Sequence, residues 1–155
     1  MSLLSTVRTW GRMVKFSHSV FALPFALSGA ALAAAESGVT LRQVIWIVIA
    51  MVAARNAAMG FNRLADHRID AANPRTADRE LPSGALTRRA VWLSTLILAV
   101  LFVVAAFQLG RTCGLLSPVA LAIVFGYSFT KRFTWSSHLV LGLALAIAPV
   151  GGYLA

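Results

Sequence analysis

The chain has 155 residues, of which 59% are hydrophobic and only 12% are charged. Soluble domains carry about 25% charged residues, so this composition excludes an ordinary water-soluble domain and indicates a membrane protein. The formal net charge of +9 comes from basic residues dispersed among hydrophobic stretches, which argues against a nucleic-acid-binding surface, since such a surface gathers its charge on one polar face.

Five apolar runs reach or approach the roughly 20 residues that a membrane-spanning helix needs. They cover residues 18–35, 43–62, 90–109, 112–130 and 137–155. The first run follows basic residues, as a signal peptide does, but its length and the four later runs favour a retained helix. We therefore predict an all-α, multi-pass transmembrane helical bundle that contains these five helices.

The basic residues between the runs predict the orientation of the chain. Eleven of them lie before the first run, between the second and third, or between the fourth and fifth, whereas only Arg42 and Arg111 lie in the other loops. Because cytoplasmic loops are enriched in Lys and Arg, we predict a cytoplasmic N-terminus, with loops 71–87 and 131–136 on the same side. Such a basic surface would attract anionic headgroups or a diphosphate.

The loop 71–87, "AANPRTADRELPSGALT", is the longest polar segment and contains the helix breakers Pro and Gly. Its last residue, Thr87, is a suitable N-cap for the next helix. Acidic residues are concentrated in and just before this loop. Four of the five in the chain fall within fifteen residues, namely Asp66, Asp70, Asp78 and Glu80.

A polar stripe leads into this loop if the second helix continues through residue 70. At about 100° per residue, Arg55, Asn62, Asp66 and Asp70 then fall within an arc of about 80° on one face. The two aspartates are one turn apart, about 6 Å along the axis. Because lipid would not accept such groups, we expect Asn62, Asp66 and Asp70 to point into one cavity inside the bundle.

Paired carboxylates beside an amide indicate a magnesium and phosphate site. Mg²⁺ prefers oxygen ligands and is usually bound through one or two carboxylates together with substrate phosphates. In the loop, Arg75 and Arg79 offer planar guanidinium groups that suit phosphate oxygens. A zinc site is not indicated, because Cys113 is the only cysteine and the three histidines lack ligand spacing.

Structural ion pairs at the membrane surface are the alternative interpretation of these charges. They would account for several residues that we expect to face solvent or headgroups, namely Arg63, Arg68, Asp78, Glu80, Arg88 and Arg89. They account poorly for Arg55, which lies about two turns inside an apolar run, where an ionised side chain costs about 2.5–3.5 kcal/mol. Arg55 therefore indicates a polar cavity within the membrane.

The segment "RNAAMGFNRLADHRIDAANPRTADRELPSG" resembles the first aspartate-rich region of the UbiA superfamily of intramembrane aromatic prenyltransferases. The family pattern NxxxDxxxD is met by Asn62, Asp66 and Asp70. The segments "KFSHSVFALPFALSG" and "YSFTKRFTWSSHLVLGLALAIAPVGG" are similar to the same family, in particular to its 4-hydroxybenzoate polyprenyltransferase-like branch. The resemblance extends over nearly the whole chain.

The resemblance implies a helical bundle in the bacterial inner membrane, in which Mg²⁺ on two aspartate-rich motifs binds an isoprenyl diphosphate. The enzyme would transfer the polyprenyl group to an aromatic acid such as 4-hydroxybenzoate, in ubiquinone or menaquinone biosynthesis. A dry cavity would keep water away from the reactive prenyl group. Aromatic residues at helical spacing could line it, although they more often pack against other helices: Phe21, Phe25, Phe61 and Tyr127.

The resemblance also implies roles for individual residues. Asp66 and Asp70, with Asn62, would form the first motif for the metal and the diphosphate and would be essential for catalysis. The diphosphate would be held in addition by Arg75, Arg79 and Lys131. Arg55 would face the carboxylate of the aromatic acceptor.

The chain departs from the family in one respect, because no Asp or Glu follows Glu80 and the second aspartate-rich motif is therefore missing. We expect residues 1–155 to be the N-terminal part of a single UbiA-like domain, truncated before that motif and inactive by itself. Two alternatives are a transporter subunit, which would not need paired carboxylates beside an arginine-rich loop, and a nonenzymatic membrane scaffold, which would leave Arg55 unexplained.

Overall fold

The computed structural model describes residues 3–14, 17–130 and 137–155, with side chains except at 3–7, 17–22 and 37. Regular structure within these ranges is entirely helical, which confirms the predicted all-α class. The helices are α1 (Leu3–Met13), α2 (Ser17–Ser37), α3 (Leu41–Ala72), α4 (Arg88–Leu109), α5 (Arg111–Thr130) and α6 (Ser137–Leu154).

Helices α2 to α6 correspond to the five predicted apolar runs. Among the described residues, α3, α4, α5 and α6 are long and apolar enough to cross a membrane, and α2 contributes a shorter apolar stretch, Leu23–Glu36. Many large apolar side chains of α4, such as Trp92, Leu96 and Val100, are more than half exposed. This surface suits contact with lipid, and the chain is an integral membrane protein.

Helix α1 was not predicted, so the expectation of five helices was one too few. The sequence search considered only long apolar runs, whereas α1 has 11 residues and is amphipathic. Apolar residues recur at positions 3, 7, 10 and 14 of the sequence, a helical period. The indole nitrogen of Trp10 donates to Ser94 Oγ of α4 at 2.8 Å, so α1 is attached to the bundle.

Helix α3 is the longest helix, with 32 residues, and it carries the polar stripe. Thr40 caps its start through a capping box, in which Thr40 Oγ1 accepts from the Gln43 amide and the Gln43 side chain accepts from the Thr40 amide. The helix ends at Asn73, whose extended backbone is the conformation favoured before Pro74. The predicted continuation through residue 70 is thus confirmed.

The loop 71–87 lies at the same end of the bundle as the end of α1. Leu81 and Leu86 of the loop pack with Met13 and Val14 in one buried cluster. The loop therefore contacts the end of α1, while the predicted membrane topology and cytoplasmic location stay predictions. The loop 131–136 lies outside the described residues. Thr87 accepts from the Ala90 amide at 3.2 Å and is the predicted N-cap of α4.

Candidate active site

The two aspartates of the polar stripe are buried near the carboxyl end of α3. Asp66 is 7% exposed and Asp70 is 6% exposed, and Asn62, one turn before Asp66, is half-buried. All three belong to one uninterrupted helix, so their side chains follow each other along it. Buried carboxylates are unfavourable unless a cation accompanies them, and positive charge is therefore needed at this end of α3.

Arg79 supplies positive charge from the loop that follows the helix. Its Nη1 atom donates to both carboxylate oxygens of Asp70, each at 2.8 Å. The chain turns back through Asn73, whose Oδ1 accepts from the Arg75 amide at 3.0 Å, and through Thr76, whose hydroxyl donates to the Asp70 carbonyl at 2.9 Å. Both bonds to Asp70 use Nη1, so Nε and Nη2 of Arg79 give it the capacity to donate to a further anion.

Arg63 is a second cation beside Asp70, and our expectation that it faces solvent or headgroups is wrong. It is 8% exposed, and its Nη1 lies 4.0 Å from Asp70 Oδ2. Its Nε donates to the Met13 carbonyl of α1 in a long hydrogen bond of 3.5 Å. Asp70, Glu80 and Asp66 all attract its charge, while Arg79 opposes it.

The burial of Arg63 follows from its spacing from Asp70 together with the contact that α1 makes there. Seven residues of an α-helix return to within about 20° of the same direction, so Arg63 faces the same loop and α1 surface as Asp70. The other members of the group that we expected at the surface fit that expectation better. Glu80 is half-buried, and the remaining four are exposed: Arg68, Asp78, Arg88 and Arg89.

An apolar cluster holds the arginine loop in place. Leu81 and Leu86 are 4% and 5% exposed and pack with buried side chains of α1, α3 and α4 and of the residue after α1: Met13, Leu64, Val91 and Val14. Removing large apolar side chains from water stabilises such a cluster by about 1.5–3 kcal/mol each. The loop therefore has its own small core, which positions Arg79 against Asp70.

A separate cavity of about 650 Å³ lies deeper in the bundle and is lined mainly by apolar residues of α3, α5 and α6. Arg55 and Asn62 both line it, because their seven-residue spacing gives them nearly the same direction on α3. Tyr127 and the buried Ser128 add polar groups from α5. Arg55 therefore faces a cavity, as predicted, but the cavity is largely apolar and not polar.

The expectation that all three residues of the motif share one cavity is only partly met. Asn62 lines the large cavity, whereas Asp66 and Asp70 do not. Each four-residue step rotates the side chain by about 40°, so Asp70 is turned about 80° from Asn62. This rotation directs Asn62 toward the bundle interior and Asp70 toward the loop and α1.

The remaining predicted residues have diverse positions. The Arg75 side chain is exposed, and Lys131 lies outside the described residues. Phe61 packs against α5, with its ring stacked on Phe125 at 4.5 Å between centroids and edge-on to Phe129 at 5.8 Å. Phe25 is 51% exposed, and the side chain of Phe21 lies outside the described part of the chain.

Two polar residues of the site were missed by the sequence analysis. The seven-residue spacing of Arg63 from Asp70 is visible in the sequence and indicates a shared direction, but it does not show the contact with α1 that buries Arg63. Ser128 is 1% exposed, lines the cavity and has no hydrogen-bond partner for its hydroxyl in the described structure. No sequence signal distinguishes it from the helical serines that bond to their own backbone, as Ser117 does with the Gly114 carbonyl.

The oxygen donors of this site are of the type that Mg²⁺ prefers. Asp66 and Asp70 contribute carboxylates, and Asn62 contributes an amide oxygen. Within the described residues, no group of three or more His, Cys, Asp or Glu side chains is arranged to hold a metal ion. Mg²⁺ is usually bound through one or two carboxylates, with phosphate and water oxygens as its other ligands, so Asp66 and Asp70 would suffice in number as its protein ligands.

Comparison with curated proteins finds relatives among bacterial prenyltransferases. A 4-hydroxybenzoate octaprenyltransferase of Pseudomonas entomophila is 35% identical over 122 residues, which cover 74% of this chain and 41% of the relative. One from Escherichia fergusonii is 36% identical over 104 residues, which cover 64% of this chain and 36% of the relative. The chain thus matches less than half of the length of these relatives.

The fold has a counterpart among solved structures. The apo structure of a UbiA homolog from Aeropyrum pernix K1 matches with a TM-score of 0.83 and 38% sequence identity, covering 88% of this chain and 49% of the other. The model of the UbiA prenyltransferase family matches residues 22–155, which include every helix from α3 onward and the buried aspartates of α3. From this match, the chain belongs to the UbiA prenyltransferase family.

Proposed function

We propose that the full-length protein transfers a polyprenyl group from an isoprenyl diphosphate to an aromatic acid such as 4-hydroxybenzoate, on a route to ubiquinone or menaquinone in the bacterial inner membrane. The family and the names of the relatives support aromatic prenyl transfer. One structural observation carries the proposal. The buried carboxylates of Asp66 and Asp70, the latter paired with Arg79, follow directly on α3 after Arg55 and Asn62, which line a largely apolar cavity.

The diphosphate end of the substrate would be bound around Asp66 and Asp70. When bound there, Mg²⁺ would offset the charge of the diphosphate and make it a better leaving group. Arg79 suits the same anion, since Nη1 is bonded to Asp70 and its other nitrogens can donate to phosphate oxygens. Arg75 and, by the family resemblance, Lys131 would add positive charge for the diphosphate.

The aromatic acid would occupy the cavity lined by Arg55. In prenyl transfer, the bond between the allylic carbon and the diphosphate oxygen breaks, a carbon–carbon bond to the ring forms, and the ring loses a proton. Arg55 can pair with the carboxylate of the acceptor, because it is half-buried and its guanidinium group suits a planar anion. The apolar lining would hold the prenyl chain and exclude water, which would otherwise compete with the ring.

The experiment is a prenyl-transfer assay in membranes that contain the full-length protein. Asp66→Ala and Asp70→Ala should each abolish nearly all magnesium-dependent transfer, because each removes a carboxylate from the diphosphate end. Asp70→Ala should be slightly less complete, since Asp70 lies one turn nearer the end of α3. Asp78→Ala is the matched control, as Asp78 is exposed and should leave the rate unchanged. Undiminished turnover of either variant at saturating Mg²⁺ refutes the proposal.

A further inference from the structure

Arg63 lies between two parts of the protein that are distant in sequence. Its Nε bonds to the carbonyl of Met13 at the end of α1, and its Nη1 lies 4.0 Å from Asp70 on the side of Oδ2. Arg79 approaches the same carboxylate from the loop. Asp70 thus has one arginine on the helix itself, held by α1, and another on the loop.

The two arginines differ in how firmly they are held. Arg63 is 9% exposed in its side chain, whereas that of Arg79 is 38% exposed. A half-exposed loop arginine can change partners when an anion arrives, but a buried arginine bonded to a helix-end carbonyl has little freedom to do so. Arg63 is therefore the more firmly held of the two cations beside Asp70.

Arg63 reduces the net negative charge of the cluster that an anionic substrate would approach. Three carboxylates interact with it, those of Asp70, Glu80 and Asp66, and Arg79 is the other nearby cation. With both arginines the cluster carries one net negative charge, and without Arg63 it would carry two. A diphosphate is itself strongly anionic, so removal of Arg63 would increase the repulsion that it meets.

Resting on the function proposed above, we infer that Arg63 is a positioning residue for the diphosphate substrate. It holds the Asp70 carboxylate from the side of α1 and offsets the acidic cluster, and it does so without contacting the substrate. Its effect reaches the substrate through Asp70. The Met13 carbonyl completes the arrangement by accepting from Nε of Arg63, which fixes the guanidinium group between α1 and Asp70.

The test measures binding by the full-length protein in detergent, without turnover. Inorganic diphosphate is titrated in the presence of Mg²⁺, and the midpoint of the rise in thermal unfolding temperature gives the apparent affinity. Mn²⁺ alone is titrated in parallel and followed by electron paramagnetic resonance. The variants are Arg63→Gln, which removes the charge, and Arg63→Lys, which keeps it. Arg68→Gln is the control, since it removes an equal charge from an exposed position of the same helix.

Arg63→Gln should raise the diphosphate midpoint about tenfold, because the more negative cluster repels the anion, while Mn²⁺ binding is unchanged or tighter. Arg63→Lys should recover most of the diphosphate affinity, and Arg68→Gln should match wild type. A general loss of structure would weaken the binding of both ligands together. If Arg63→Gln weakens the binding of Mn²⁺ and of diphosphate equally, or changes neither affinity, the inference is overturned.

A further variant separates this inference from the proposed function. Asp70→Asn should remove the diphosphate response, because it removes the carboxylate on which both ideas depend. If Asp70→Asn responds like wild type, the proposed site is wrong. If Asp70→Asn loses the response and Arg63→Gln retains it in full, the site stands and only the role of Arg63 is wrong.

Discussion

Nη1 of Arg79 lies 2.8 Å from both carboxylate oxygens of Asp70, nine residues earlier in the chain. One nitrogen makes both bonds, so the other two donor nitrogens of the guanidinium group are available to a phosphate. Arg79 could therefore bind the Asp70 carboxylate and a substrate phosphate at the same time. This relationship connects the loop 71–87 to the aspartates of α3.

Replacing Arg79 should weaken the binding of the prenyl diphosphate more than the binding of the aromatic acid. A hydrogen bond to a charged group contributes about 1.5–3 kcal/mol, so Arg79→Gln should raise the apparent KM for the diphosphate by about ten- to a hundredfold and leave that for the acid nearly unchanged. Steady-state kinetics of the full-length enzyme, with each substrate varied in turn, measures both. Arg88→Gln, an exposed change at the start of α4, is the control. An increase confined to the aromatic acid would contradict this role.

Arg55 should have the opposite kinetic signature. It lines the large cavity and lies seven residues, about 10 Å along the axis, from Asn62, so it is placed for an acceptor carboxylate and not for the diphosphate. Arg55→Ala should raise the apparent KM for the aromatic acid by about ten- to a hundredfold. Arg55→Lys should recover only part, because an ammonium group cannot form two parallel bonds to a carboxylate.

The same kinetic experiment decides between the two sites. If Arg55→Ala raises the KM for the prenyl diphosphate and leaves that for the aromatic acid unchanged, Arg55 belongs to the phosphate site. An acceptor analogue that lacks the carboxylate provides a control, because wild type and Arg55→Ala should then differ little. A large difference with that analogue would show that Arg55 acts through something other than the acceptor carboxylate.

The parts of this site that could be predicted are those that local spacing determines. The placement of Asn62, Asp66 and Asp70 on one continuous helix follows from four-residue intervals, and the cap at Thr87 follows from the preference of threonine for that position. The burial of Arg63 depends in addition on α1, which approaches from 50 residues away. Helical spacing indicates the direction of a side chain, but it does not show what covers it.

The different surroundings of Asn62, which lines the cavity, and Asp70, which faces the loop and α1, have a similar explanation. A pattern of four-residue steps is compatible with one shared cavity, provided that the helix faces one cavity along its whole length. Here α3 passes from the bundle interior at Asn62 to the loop and α1 at Asp70, while its face rotates by about 40° per step. The sequence alone does not reveal where along α3 these surroundings change.

Docking of α1 should depend measurably on one hydrogen bond. Trp10 Nε1 donates to Ser94 Oγ at 2.8 Å across 84 residues of sequence. Trp10→Phe keeps an aromatic ring but removes the donor, and it should lower the free energy of unfolding by about 0.5–1.5 kcal/mol. Urea unfolding in mild detergent, followed by the fluorescence of the remaining tryptophans, is the measurement.

A double-mutant cycle isolates this bond from other effects of the substitution. Ser94→Ala alone should lower the free energy of unfolding by a similar amount. The double variant should lower it by less than the sum of the two single effects, since only one bond is lost. Ser94 also donates to the Val91 carbonyl, so its single substitution has a second effect that the cycle removes. Strictly additive costs would show that the bond does not contribute to docking α1.

Two glycines where α2 and α6 cross, Gly29 and Gly152, should not be replaceable by a residue with a side chain. A Cβ atom added to Gly152 would overlap the carbonyl oxygen of Ala26, and one added to Gly29 would overlap that of Pro149. Both obstacles are backbone atoms, which cannot rotate away as a side chain would. Gly152→Ala should therefore push the helices apart and destabilise the protein by about 1–3 kcal/mol, the usual cost of overpacking.

Gly151→Ala is a matched control on the adjacent residue of α6, because a Cβ there would have no heavy atom within 4 Å. Alanine favours a helix over glycine by up to about 1 kcal/mol, so Gly151→Ala should leave the Tm unchanged or raise it. Gly152→Ala should lower it by several degrees, at roughly 2–4 °C per kcal/mol for a protein of this size. Thermal unfolding in one detergent compares the two variants directly. An equal Tm for both would mean that α2 and α6 are not in backbone contact at Gly152.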